Sequence, residues 1–115
     1  GVHWAIETIA KLPLELQDKI EIIDLRSLVP WDKKLVLDSI KKTNRALILH
    51  EATHTSGFGA EIAATVSEEA FEHLDAPVLR LASIDTPIPC SLEIERNIFW
   101  PKSHIKDKII ELLNF

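Results

Sequence analysis

Two histidines four residues apart, with a glutamate after the first, stand in His50-Glu51-Ala52-Thr53-His54. On a helix that spacing offers two imidazoles to one zinc ion and a carboxylate to activate its water. The longer form of the motif wants a third histidine at position 60 and a methionine-bearing turn, whereas this chain has Ala60 and no methionine. A downstream carboxylate, Glu68 or Glu72, could serve as third ligand, so spacing alone leaves a small zinc hydrolase as a rival function class. Local structure decides. Positions i and i+4 stack on one face only in a helix. His50 closes the strand-like run Ala46-Leu47-Ile48-Leu49, and Thr53, Thr55, Ser56, Gly57 and Gly59 are poor helix formers. No metal site is expected.

The remaining chemistry-bearing residues read as structural. Gly57-Phe58-Gly59 before a helix has the look of a phosphate-cradling loop, but the closing glycine of a dinucleotide fingerprint is replaced by Ile62. Glu61 also puts negative charge in the first helical turn, where a phosphate would sit. The glycines are expected to let a helix approach a sheet closely. Glu68 and Glu69 are adjacent on a helix and point about 100° apart, too divergent for an acid/base pair. Cys90, between Pro89 and Ser91, has no histidine near it in sequence, and no serine sits in a small-residue elbow. Asp24 and Arg80 fall within apolar runs, where a charge needs an ion-pair partner or a strand-end position.

Composition bounds the frame that must hold these residues. At 115 residues, 46% hydrophobic and 27% charged, the chain fits one globular domain, and two cores would leave neither enough to bury. A net charge of −5 with scattered lysines excludes a nucleic-acid binder; Lys33-Lys34 and Lys41-Lys42 are solvated helix positions. No apolar run approaches the roughly 20 residues of a membrane span, and no secretory signal opens the chain. One cysteine cannot form an internal disulfide, which suits a reducing compartment; a cytoplasmic location is expected. With no methionine at position 1, Gly1 is expected to be a cut or processed end.

Three short apolar runs read as strands: 20–25, 46–50 and 78–82. Between them lie helical spacings at about 33–42, after the N-capping Asp32, and at about 59–74, where Ile62, Ala63, Val66, Ala70 and Leu74 share a face. Further helices are expected over 2–11 and 103–113. Strand alternating with helix predicts parallel crossovers and a three-layer α/β/α sandwich with a mainly parallel sheet. A chain that opens on a helix suggests that one strand lies upstream of Gly1.

The stretch Asp24-Leu25-Arg26-Ser27-Leu28-Val29-Pro30-Trp31-Asp32 resembles the strand-to-helix link of the beta subunit of pyruvate, branched-chain and related 2-oxo-acid dehydrogenases. Three further blocks are similar to that family in order and spacing. They are Gly1-Val2-His3-Trp4-Ala5, then His50-Glu51-Ala52 leading into Gly57-Phe58-Gly59-Ala60-Glu61-Ile62, then Asp75-Ala76-Pro77 followed by Asp85-Thr86-Pro87. The resemblance implies a transketolase C-terminal-like fold over residues 1–115, part of the decarboxylating component of a 2-oxo-acid dehydrogenase complex, as a separate beta subunit or a fused chain. It implies thiamine diphosphate and magnesium in the parent enzyme, held by other domains together with the catalytic residues, so that no catalytic or cofactor-binding residue is carried over to this chain. What it implies here is association with the other domains or subunits and docking of the acyltransferase's small binding domain. Asp75 and the C-terminal carboxylate of Phe115 are the candidate contacts, because the family's docking patch lies near a two-fold axis close to the C-termini of the beta subunits. It also implies a central strand ending just before Gly1, without which the strands at 20–25 and 46–50 must close on each other or admit a partner. The equivalent domain of transketolase or deoxyxylulose phosphate synthase would fold alike.

Overall fold

Leu47–Thr53 (β1) and Leu79–Ser83 (β2) pair in parallel, and the computed structural model describes residues 1–115, the Ile98 side chain apart. Leu47 faces Leu79, Ile48 faces Arg80 and Leu49 faces Leu81; the register then shifts before Thr53 meets Ser83. Backbone bonds from Leu79 N to Ala46 O (3.0 Å) and from His54 N to Ser83 O (2.9 Å) extend the ladder at both ends.

Because strand side chains alternate, the two faces of this ribbon collect different partners. Leu47, Leu49 and Leu81 turn to one side and pack with Leu12, Ile105 and Ile109. That layer is built by α1 (Val2–Ile9), the short α2 (Leu14–Gln17) and, at the far end of the chain, α6 (Ile105–Leu113). Ala46, Ile48 and Val78 turn to the other side, against Ile40 of α3 (Lys33–Thr43) and Ile62 and Val66 of α4 (Phe58–Glu69). Helices therefore cover both faces, as the alternating pattern predicts. Trp4 stacks on Trp100 with ring centroids 5.0 Å apart and so ties α1 to the chain entering α6. Before that, α5 (Leu92–Ile94) runs into a π-helical turn at Glu95–Phe99 and a 3-10 turn at Pro101–His104.

Helix ends follow their residue types. The Asp32 carboxylate accepts from Leu35 N at 2.9 Å, as expected of an N-cap. Asn44 ends α3 in the left-handed region (φ 60°), which asparagine tolerates better than most residues. Its side-chain amide donates to His73 O (2.8 Å) and its own carbonyl accepts from Asp75 N (2.8 Å). One residue thus clamps the end of α3 to the 3-10 turn Phe71–His73 and fixes the backbone at Asp75.

One expected strand is absent. Residues 20–25 take no regular secondary structure and join no ladder, and the sheet among the described residues has two strands. The apolar pattern correctly places the run against the core: Ile20 packs in the α1/α6 layer and Leu25 in the α3/α4 layer. Burial alone does not make a strand, however; the backbone needs a ladder neighbour, and β1 is already bonded to β2 on one side. The segment and β1 do not close on each other. Two smaller expectations shift with it: the helix predicted over 59–74 ends at Glu69, its remainder being the 3-10 turn, and Asp24 lies in no strand.

Candidate functional site

The His50-Glu51-His54 segment lies on β1 and the bend just after it. The strand ends at Thr53, its register is irregular between Leu49 and Thr53, and His54 lies in the bend beyond, so the two histidines lack the helical i, i+4 stacking that the metal motif needs. Glu51, next to His50 on the strand, is exposed. His50 is pressed against the start of α4. A Cβ added to Gly57 or Gly59 would lie closer than 3.0 Å to the His50 ring, and at Gly57 also closer than that to the Thr53 carbonyl oxygen. No group of three metal-ligating side chains converges among the described residues. The helix on which the zinc-hydrolase reading depends is absent at these residues.

The two glycines therefore serve the close approach of helix to strand, as expected, and the object they accommodate is the imidazole. Neither has a positive φ, so the requirement is space. Both ring nitrogens of His50 are buried without a hydrogen-bond partner. Burial, above all, holds the imidazole below its usual 6.5, with the charges of Arg80 and His54 acting the same way; the Ala52 backbone opposes the shift without reaching bonding geometry. Above that value both folded and unfolded chains carry a neutral His50. As pH falls through it, the unfolded chain takes up the proton first, so stability is lost on the acid side. Thermal melts from about pH 8 to about pH 5 should fall more steeply for the wild type than for His50→Gln. Equal slopes would show that His50 contributes nothing to the acid sensitivity.

At the carboxyl ends of the strands, Asp85 accepts from Thr55 N (2.8 Å) and Thr55 Oγ1 (2.6 Å), and these bonds hold its carboxyl below the usual carboxylate range. Arg80 donates Nη1 to the His54 carbonyl at 3.0 Å. Both contacts brace the loop between β1 and α4. Arg80, the second residue of β2, has no acidic partner within ion-pair distance among the described residues and meets the strand-end alternative, whereas Asp24 pairs with the neighbouring Arg26. Glu69 is bound by Lys33 at 2.5 Å, Glu68 is exposed, and Cys90 is a free, exposed thiol.

Of the two expected docking residues, Asp75 is exposed just ahead of β2, on the α3/α4 side, with its backbone fixed by Asn44. Phe115 is 58% exposed beyond α6, in the opposite layer. No hydrogen bond or ion pair among the described residues joins them. What sequence reasoning missed is Phe71, which stands 74% exposed at the end of α4. Beside it runs a file of small residues, Ala60, Ala63, Ala64 and Ser67, whose i, i+3, i+4, i+7 spacing was the available signal.

A family model described as the C-terminal domain of transketolase matches residues 1–105. The chain is 49% identical over 96 residues to "2-oxoisovalerate dehydrogenase subunit beta 2, mitochondrial" of Arabidopsis thaliana, covering 83% of this chain and 26% of the relative. It is 53% identical over 73 residues to "2-oxoisovalerate dehydrogenase subunit beta" of Pseudomonas aeruginosa, covering 64% and 21%. To "Pyruvate dehydrogenase E1 component subunit beta" of Rhizobium meliloti it is 41% identical over 96 residues, covering 84% and 21%. The chain thus spans about a quarter or less of the length of these relatives.

Proposed function

We propose, because this chain belongs to the transketolase C-terminal domain family, that it is the C-terminal domain of the decarboxylating component of a 2-oxo-acid dehydrogenase complex. The observation that carries the reading is the family match over residues 1–105, combined with relatives whose names are beta subunits of 2-oxoisovalerate and pyruvate dehydrogenases. The whole enzyme in this reading decarboxylates a 2-oxo acid oxidatively and passes the acyl group to a lipoyl group on an acyltransferase. Thiamine diphosphate and magnesium supply that chemistry from other domains. This domain's own work is association and docking. The same reading has a strand from upstream of Gly1 filling the unpaired side of β1. Support comes from Gly1 lying against β1, where an added Cβ would stand 3.6 Å from the Leu49 carbonyl oxygen. The single free thiol supports placing the enzyme in the cytoplasm; recovery from an organelle on cell fractionation would overturn that placement.

Docking of the acyltransferase's binding domain is assigned to Asp75 and the terminal carboxylate of Phe115, supported by their exposure and by the net charge of −5, which suits a basic partner. Surface plasmon resonance on the assembled enzyme should show several-fold weaker binding for Asp75→Lys and for a chain extended past Phe115. Both variants should also lose part of the salt dependence, since the Debye length falls from about 10 Å at 0.1 M to about 3 Å at 1 M. Unchanged affinity and salt slope in both would reject these contacts.

A further inference from the structure

The imidazole of His50 is the one part of the contact between β1 and the start of α4 that can change its charge. Both ring nitrogens are buried without a partner, and the ring fills the space left by the missing side chains of Gly57 and Gly59, themselves buried. A neutral ring leaves one N–H unpaired there; an imidazolium leaves two, together with a full charge. The surroundings offer it no compensation. Glu51, next to it on β1, and Glu61, in the first turn of α4, are both exposed. Arg80 on β2 and, once protonated, His54 beyond the end of β1 act on the ring as positive charges. The first turn of α4 has no side-chain cap, so it turns the positive end of the helix toward the same ring.

The chain that bears on the ring lies between two firm anchors. On one side, Thr55 is tied to Asp85 by two hydrogen bonds and the His54 carbonyl accepts from Arg80. The Thr55 bonds hold the Asp85 carboxyl below the usual carboxylate range, so this anchor persists into mildly acid solution. On the other side, Ile62 and Val66 are buried in the α3/α4 core. Between the anchors, Phe58 is half-buried against that core and Ser56 holds a left-handed backbone (φ 61°), a conformation unfavourable for a residue with a Cβ.

We propose that His50 is an acid-released latch: when the ring takes up a proton, residues 56–61 come off β1 about Ser56 and carry the first turn of α4 into water, while the rest of α4 and both core layers stay closed. Opening puts the imidazolium in water and relaxes Ser56, which are the two unfavourable features of the closed form. Because the closed form holds the proton less tightly than the open one, opening gains population as pH falls below about 6.5, by about tenfold per pH unit until the closed ring also titrates. The loop at the carboxyl ends of the strands thereby takes one form at neutral pH and another in mild acid, with the domain intact.

Hydrogen exchange of the full-length polypeptide in its assembled enzyme, read by mass spectrometry from about pH 7.5 to about pH 5 and corrected for intrinsic exchange rates, tests the latch. Amides of residues 57–62 should lose protection by about tenfold per pH unit below about 6.5, while those of 63–69 and 79–83 keep theirs. His50→Gln, which cannot take a charge, should flatten that dependence. His54→Gln, at an exposed position that folding tolerates, should leave the slope in place and so separates the two histidines even if the His50 variant does not fold. Protection of 57–62 that is unchanged across this range, a loss that spreads evenly through α6, or a slope that survives His50→Gln or vanishes in His54→Gln overturns the inference.

Discussion

Truncating Ile105 to alanine is expected to cost about 2–5 kcal/mol, the range for deleting a buried aliphatic side chain and leaving a partly collapsed cavity. Ile105 is 1% exposed and sits where α6 begins, against Leu12, Leu81 and Ile109. It therefore joins three parts of the chain that are remote in sequence: the turn after α1, strand β2 and the C-terminal helix. Total stabilities of about 5–15 kcal/mol make such a loss a large fraction of the whole. Urea unfolding of wild type and Ile105→Ala should give a lower midpoint at unchanged slope. Ile110→Ala supplies the contrast, because Ile110, on the same helix, is 36% exposed. Equal losses at the two positions would mean that the α1/α6 layer is not packed as described.

The second large effect is at the glycines under His50. Gly57→Ala and Gly59→Ala are each expected to destabilise by about 1–3 kcal/mol, the usual cost of forcing extra volume into a packed site. The two differ in what resists. The closest atoms facing Gly59 belong to the His50 ring, whereas Gly57 also faces the Thr53 carbonyl, which is backbone and cannot rotate away. Shortening His50 to alanine should therefore rescue most of the Gly59→Ala loss and little of the Gly57→Ala loss, a coupling read from a double-mutant cycle. Additive losses at Gly59 would dissociate the ring from the glycine.

These two sites show which physical signals a sequence carries. Periodicity foretold α3, α4 and α6 because each has one apolar face, and Asp32 marked a helix start because its carboxylate has a local job three residues on. Strands β1 and β2 were legible for the same reason: short apolar runs between helices. The run 20–25 has the same pattern yet no partner, since pairing depends on what lies beside a segment in space. Likewise the histidine pair matched a metal motif in spacing alone; the segment is strand and bend, without the helical stacking that the motif needs. The π-helical turn and the 3-10 turn before α6 left no periodicity to read, being a single turn each. Phe71 went unremarked because an exposed aromatic residue is ordinary until a hollow is found beside it.

The central claim is that this domain belongs to a decarboxylating dehydrogenase component, and release of carbon dioxide by the assembled parent enzyme tests it most directly. The full-length polypeptide that includes this domain, combined with its thiamine-binding partner, should release labelled carbon dioxide from 2-oxoisovalerate or from pyruvate only when thiamine diphosphate and magnesium are added. No cofactor-dependent release from either acid, by an assembled and folded enzyme, would contradict the account.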